Sequence, residues 1–546
     1  MKLLSPFLLV LCLFTACKGP SPSQSSSPLS QSASSANGMV STAHPLASRA
    51  GIAMLEKGGN AIDAAVAAGF ALAVVEPSMS GLGGRLQAIL MESDGSVHGV
   101  DATTQAPMDY DPETAPKGRY GYPTIGIPGV VAGLCKLNQE YGTLPLAEVI
   151  APAIQYAEQG FELLSGEAFR QQLAHDQLME FDGSRQYFLN GDSSRKAGDL
   201  WVQKDLAQTL RQIKQFGREA FYSGEIAQKI VADVQANGGV LSMEALAQYE
   251  AKDARILEGS YHGLGLHGLH LPSFGAITIE ILHILENLPM KDLHGNQWAN
   301  AVNHAIAMAY EDRPRQSDEE VLELLLSKEY AAELAQHIDL DTNRMQAVTS
   351  QEFPPSWAAP WAHTTHLTAT DKMGNVIALT QTIGPNMGSK VATPGLGFLY
   401  AVTLGGYLGD FQPGQRAASH ISPFIITKDK KPYLVLGAAG GSRIVPAVAA
   451  VSTRVIDHQL SLEEALAAPR VHPVEDSIFL ETTPGEGWQE EVISDLKAKG
   501  FLIKEISDAA RFGRVHAVLY DEKSGQWIGA ADPDWEGVAG GPLLKE

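Results

Sequence analysis

Thr364 stands in the run Trp361-Ala362-His363-Thr364-Thr365-His366, after the Pro-rich stretch Glu352-Phe353-Pro354-Pro355-Ser356-Trp357. A threonine hydroxyl inside a chain has no base of its own and is a poor nucleophile. A threonine at a new chain start carries one, its α-amino group, with a pKa of about 7.7–8.0. Cleavage of the His363–Thr364 bond by the chain itself would therefore create the catalyst. A second constellation is Gly437-Ala438-Ala439-Gly440-Gly441-Ser442-Arg443, between the strand-like Pro432 to Leu436 and a helix-like run. Glycines there let backbone N–H groups approach an anion at a helix start. In acyl transfer that is an oxyanion hole. The same run equally suits a tight strand-to-helix turn.

Strand-like runs at 364–370, 376–382 and 433–437, and a helix after Ser442, must position these groups. Asp371-Lys372-Met373-Gly374-Asn375 fits a three-residue hairpin loop with Gly374 in the left-handed position. If Asp371 opposes Asn375, paired residues sum to 746, and Thr364 faces Thr382. Opposed residues have Cβ atoms about 4.5–5.5 Å apart, so a second hydroxyl would lie beside the first. An ordinary cross-strand Thr–Thr pair would read the same way.

Upstream, residues 45 to 76 read as two helices separated by Gly58-Gly59. Asn60 is the N-cap of the second, and Ala61 to Val75 is apolar all round, hence buried. Ser80-Gly81-Leu82-Gly83-Gly84-Arg85 leads into a strand-like Leu86 to Met91. Helical segments dominate from about 130 to 340. This alternation indicates a mixed α/β sandwich.

The chain has 546 residues, too many for one ordinary core. Its 45% apolar and 19% charged residues fit a folded protein. With 62 acidic against 40 basic residues and no basic run, no nucleic-acid partner is expected. Lys2, the apolar Leu3 to Phe14, and Thr15-Ala16-Cys17 resemble a bacterial lipoprotein signal, too short to span a membrane. That resemblance implies cleavage before Cys17, lipid on its sulfur and a membrane anchor. Lys18 resembles outer-membrane sorting, with the protein facing the periplasm; a plain cleaved signal would leave it periplasmic. Residues 17–37 read as a flexible tether. Only Cys135 then remains, so no internal disulfide is expected. His363 and His366 are too few for a metal site, and no cofactor is expected.

Several motifs, in order, carry a resemblance to one family. They are Glu56-Lys57-Gly58-Gly59-Asn60-Ala61-Ile62-Asp63-Ala64-Ala65, Gly126-Ile127-Pro128-Gly129-Val130-Val131-Ala132-Gly133, Tyr141-Gly142-Thr143, Thr364-Thr365-His366, Gly440-Gly441-Ser442-Arg443 and Ala467-Ala468-Pro469-Arg470. Over nearly all of residues 38 to 540 the chain resembles the γ-glutamyltransferase (γ-glutamyl transpeptidase) family of N-terminal-nucleophile hydrolases. The resemblance implies a four-layer αββα sandwich built by two subunits of one autocleaved precursor, here a large subunit 38–363 and a small catalytic subunit 364–546. It implies Thr364 as nucleophile and cleavage site, Thr382 as its supporting threonine, and Gly440 and Gly441 as the oxyanion hole. Ser419 matches the first of two substrate-contacting serines, and His420 stands at the second.

Departures fall on the substrate side. Thr103, in Asp101-Ala102-Thr103-Thr104-Gln105-Ala106-Pro107, replaces the arginine that grips the substrate α-carboxylate, and a hydroxyl cannot make that bidentate pair. Gly405-Gly406-Tyr407 aligns with the Asp-Asp-Phe that holds the α-amino group, and a four-residue shift offers Asp410 instead. Gly384 replaces an asparagine, and Tyr407 to Ala418 is short beside members with a lid loop. Arg85 occupies a usual glycine. It reads first as a surface or structural arginine, with a role as the missing positive charge as the alternative. The first functional reading is hydrolysis or transfer of a γ-glutamyl group, as in glutathione, to water or an amine. The alternatives are a cephalosporin-acylase-like amidase, a poly-γ-glutamate-type polymer hydrolase, and a catalytically retired lipid-anchored binding protein.

Overall fold

Asn60 and Asp63 fix the start of the helix around which the first half of the chain is organised. The Asn60 side chain accepts the N–H groups of Ile62 and Asp63, and the Asp63 carboxylate accepts the Asn60 N–H. Two of the four orphan donors of a helix start are thereby satisfied. Asp63 also accepts the Thr143 hydroxyl at 2.7 Å, which ties two distant sequence motifs together. Every residue of this helix, Ala61–Val75, is buried.

A computed structural model describes residues 29–342, 363–474, 477–483, 487–508 and 511–543. In chain order, its site-positioning elements begin with β1 (Ser32–Ser35), β2 (Gly38–Thr42), α1 (Pro45–Glu56), α2 (Ala61–Val75), β3 (Arg85–Met91), β4 (Val97–Ala102) and α3 (Val130–Tyr141). After several short helices come β5 (Lys252–Asp253), β6 (Ile256–Tyr261), β7 (Leu264–Leu269), α4 (Gly275–Glu286) and α5 (Gly295–Asp312). Then follow β8 (Thr365–Asp371), β9 (Val376–Thr382), β10 (Phe424–Lys428), β11 (Lys431–Ala439), α6 (Ile444–Ile456), β12 (Arg514–Asp521), β13 (Gln526–Ala531) and β14 (Val538–Gly540).

Two seven-stranded sheets result, ordered β14-β2-β8-β9-β3-β4-β5 and β1-β13-β12-β11-β10-β7-β6. All neighbours are antiparallel. Alternate side chains of each strand serve different cores. On β9, Ile377 and Leu379 pack in the cluster that contains α2, while Val376 and Ala378 join Ile89, Met91, Ile425, Val435 and Val518 between the sheets. The second sheet turns Phe424, Ile426, Leu434 and Leu436 toward α4, α5 and α6. The strands of β8, β9 and β3 are buried along their whole length, because both faces are covered.

The expected hairpin register is the one observed. Thr365 pairs with Gln381 and Thr370 with Val376, and Gly374 has φ +94° in the loop. Three expectations need amendment. Residues 17–37 were expected to be a tether, yet Ser32–Ser35 pair with Ala530–Trp527 at a sheet edge. Edge pairing uses backbone groups, so a run with little to bury can still join a sheet. The mainly helical stretch from 130 to 340 also contains the β6–β7 hairpin. Its glycines at 259, 263, 265 and 268 obscure the alternation of a strand. Strands β10, β12 and β13 extend the pattern read only at 433–437. The signal segment and Cys17 lie outside the described residues. Among those described, no helix is long and apolar enough to cross a membrane.

Candidate active site

The site forms at one end of β8, β9, β3 and β4, on the face that looks toward the second sheet. Arg85 is paired with Thr382 across β3 and β9. Continuing the β8–β9 register one step places Thr364 opposite Thr382, and continuing β3–β4 places Thr103 opposite Arg85. Thr364, Thr382, Arg85 and Thr103 thus form one row across four adjacent strands. Arg85 shares the parity of Ile89 and Met91, which lie between the sheets.

The Thr364 hydroxyl donates to Thr382 Oγ1 at 3.0 Å, and the Gly384 N–H donates to the same oxygen at 2.9 Å. Both threonines are buried. Thr364 has φ +100°, a region sparsely allowed for a β-branched residue. Such strain, of order 1–3 kcal/mol, is held only where the surroundings enforce it. The peptide bond in question is the one preceding Thr364. Its carbonyl oxygen, on His363, accepts the Gly440 N–H at 3.0 Å. Gly440 has φ +150° and Gly441 φ +61°, in the turn that joins β11 to α6. An added Cβ at Gly440 would lie 2.8 Å from Gly513 Cα. The turn joins strand to helix and aims the Gly440 N–H at the His363 carbonyl.

Charge around this bond is one-sided. Burial pushes the His363 imidazole down to about 3, helped by the positive charges of Lys390, Arg443 and Arg85. Burial lowers Lys390 itself to about 8; its ammonium donates to the Gly388 carbonyl at 3.2 Å. On the other side of the bond, Arg514 Nη2 approaches the Thr364 carbonyl oxygen at 3.4 Å. Arg514 is held by Glu76 at 3.3 Å, and Glu76 also binds Arg170. His366, next to the site in sequence, donates or accepts with Thr380 Oγ1 at 2.7 Å and is buried and neutral, its imidazole pushed down to about 3 by burial. Burial pushes the Cys135 thiol up to about 12, leaving it unreactive on α3.

The substrate-side residues scatter. Thr103 turns its hydroxyl onto Asp101 at 2.9 Å, and Asp101 is also bound by Arg416 at 3.0 Å. Asp410 lies on an exposed loop, 3.3 Å from Lys117, rather than against the threonines. Arg85 is neither on the surface nor in a structural ion pair. It is 1% exposed, Nη2 donates to the Val402 carbonyl at 2.8 Å, and Nε and Nη1 have no partner. The Ser419 hydroxyl is also buried without a partner, whereas His420 meets Arg313 at 3.3 Å and packs against Phe274.

Sequence reasoning missed Lys390, Glu76 and Arg514. No local pattern marks them: Arg514 and Thr364 meet across 150 residues of chain.

The gamma-glutamyltranspeptidase family model matches residues 47–541. The chain belongs to that family. A glutathione hydrolase proenzyme of Pseudomonas sp. (strain A14) is 36% identical over 475 residues, covering 80% of this chain and 81% of its own. An Acylase ACY 1 proenzyme of Pseudomonas sp. (strain V22) is 33% identical over 538 residues, covering 91% and 92%. The crystal structure of cephalosporin acylase from Bacillus halodurans superposes with a TM-score of 0.83 at 27% identity, covering 98% of this chain and 100% of that one. As a gamma-glutamyltranspeptidase-family member, the chain is an enzyme of amide bonds, a hydrolase or transferase.

Proposed function

We propose that the chain is a precursor that cuts itself before Thr364 and then transfers acyl groups from amides through the Thr364 hydroxyl. The observation that carries this reading is the pairing of two contacts at one bond. Thr364 Oγ1 is hydrogen-bonded to Thr382, and the preceding carbonyl is already polarised by the Gly440 N–H. In the precursor, Thr364 Oγ1 attacks the His363 carbonyl carbon. The C–N bond breaks, the nitrogen takes the hydroxyl proton, and an ester remains. Water opens that ester, releasing the His363 carboxylate and restoring the hydroxyl beside a free amine. In turnover the amine takes the Thr364 proton, the hydroxyl attacks the donor amide, and the Gly440 N–H holds the oxyanion, with Gly441 beside it. Water or an amine then resolves the acyl-enzyme.

The relatives named glutathione hydrolase proenzymes support γ-glutamyl amides such as glutathione as the first reading of the donor here. A second reading, an acylase for a donor other than γ-glutamyl, is favoured by Thr103 facing Asp101 and Asp410 facing Lys117, away from the roles their counterparts fill. The packing of two sheets between helices is read as the four-layer αββα arrangement, with large subunit 38–363 and small subunit 364–546. Export as a lipoprotein anchored through Cys17 belongs to the same reading; a Cys17→Ser variant that stays with the membrane fraction would refute it.

The experiment is fragment analysis of purified protein by mass spectrometry. A fragment of 183 residues (546 − 363) beginning with Thr364 is expected. An uncut chain, or a Thr364→Ala variant still split there, would sink the reading.

A further inference from the structure

A buried guanidinium with two unpartnered nitrogens is the most exceptional group near the reacting bond. Taking a charge out of water costs several kcal/mol unless it is paired. Arg85 nevertheless has no carboxylate partner among the described residues, and its only hydrogen bond is to a backbone carbonyl. Its place is not accidental to the chemistry. It neighbours Thr382 in the sheet, and an added Cβ on Gly384 would stand 3.0 Å from Arg85 Nη2. The Gly384 N–H is the one that donates to Thr382. Arg85 also acts on the His363 ring, the acyl side of the bond to be cut, and on the Tyr407 phenol. Self-cleavage is itself an acyl transfer, so groups around His363 are groups around the acyl chain.

The arginine expected at position 103 is absent, but the next strand of the same row carries one. We propose that Arg85 anchors the acyl donor by its carboxylate, so that the enzyme takes ω-carboxyacyl amides and makes no demand for an α-ammonium. The second half follows from the acids. Asp101 is occupied by Thr103 and Arg416, and Asp410 by Lys117 on an exposed loop. Arg85 Nε and Nη1, both without a partner, leave charged N–H donors for a carboxylate while Nη2 stays on the Val402 carbonyl. This inference rests on the acyl-transfer reading above.

Three p-nitroanilides test it: γ-glutamyl, glutaryl, which lacks the amine, and 4-aminobutyryl, which lacks the carboxylate. The glutaryl compound is expected within about tenfold of the γ-glutamyl one in kcat/KM, and the 4-aminobutyryl compound about 100-fold or more below both. Arg85→Met raises KM for the two carboxylate donors while kcat changes little, and the ratio between carboxylate and amine donors collapses toward one. Free glutarate competitively inhibits the unaltered enzyme and 4-aminobutyrate does not, a readout that needs no variant to fold. Equal turnover of all three donors, or an Arg85→Met enzyme that keeps the preference, overturns the role of Arg85 and leaves acyl transfer standing. A chain that stays uncut overturns the acyl-transfer reading itself.

Discussion

The Gly440 N–H donates to the His363 carbonyl oxygen at 3.0 Å. The oxygen so held belongs to the bond preceding Thr364, so the contact that would stabilise an oxyanion exists before any bond is broken. A Gly440→Ala variant puts a Cβ 2.8 Å from Gly513 Cα, at a φ of +150°. The N–H must shift, and loss of one such donor costs about 2.7–4 kcal/mol of barrier. Precursor should accumulate on gels, with cleavage slowed by about 10²–10³-fold.

Thr382→Val removes the oxygen that accepts both the Thr364 hydroxyl and the Gly384 N–H. Leaving such donors unsatisfied costs about 1–3 kcal/mol. Single-turnover cleavage rates should fall by about 10- to 100-fold, and Thr382→Ser should recover most of the loss.

Glu76 lies between Arg170 and Arg514, and Arg514 touches the Thr364 carbonyl. Breaking a buried ion pair from one side costs about 3–5 kcal/mol. Glu76→Gln should lower the denaturation midpoint and also slow self-cleavage. A lowered midpoint with normal cleavage would show the network to be structural alone.

Burial holds the Glu167 carboxyl up at about 7, above its ordinary 4.5, despite Arg170 and hydrogen bonds from Ser78 and Gln171. A proton bound more tightly in the folded chain gives stability that is complete below pH 4.5 and lost as pH rises through 7. Glu167→Gln removes this dependence. Relative to the parent, its unfolding free energy should rise by about 3 kcal/mol between pH 4.5 and 8, measured by urea denaturation.

Strands from before and after residue 363 alternate within the first sheet: β14, β8 and β9 lie beside β2 and β3. Cutting the chain severs none of their hydrogen bonds. The two fragments should elute together in gel filtration and part only in denaturant.

Much of the site was legible in the amino-acid order because it depends on local spacing. A three-residue loop between Asp371 and Asn375 fixed the pairing of β8 with β9, hence Thr364 with Thr382. The glycines at 440 and 441 announced a turn that favours glycine, and Asn60 as N-cap marked the start of α2. Periodicity failed where glycines interrupt a strand, as in the β6–β7 hairpin, and at β1, where backbone pairing alone brings in a polar segment.

The sequence by itself determined the family, and it singled out Thr364 and its neighbour Thr382, since each rests on motifs of a few adjacent residues. The tertiary structure alone decided the environment. Whether Arg85 is a solvated surface charge or a buried and unpartnered one depends on which strands flank it and what covers them, and burial decides the cost of leaving it unpaired. The same holds for Arg514, Lys390 and the carbonyl beneath Gly440: contacts made across whole sheets are set by packing, which no short run of residues encodes.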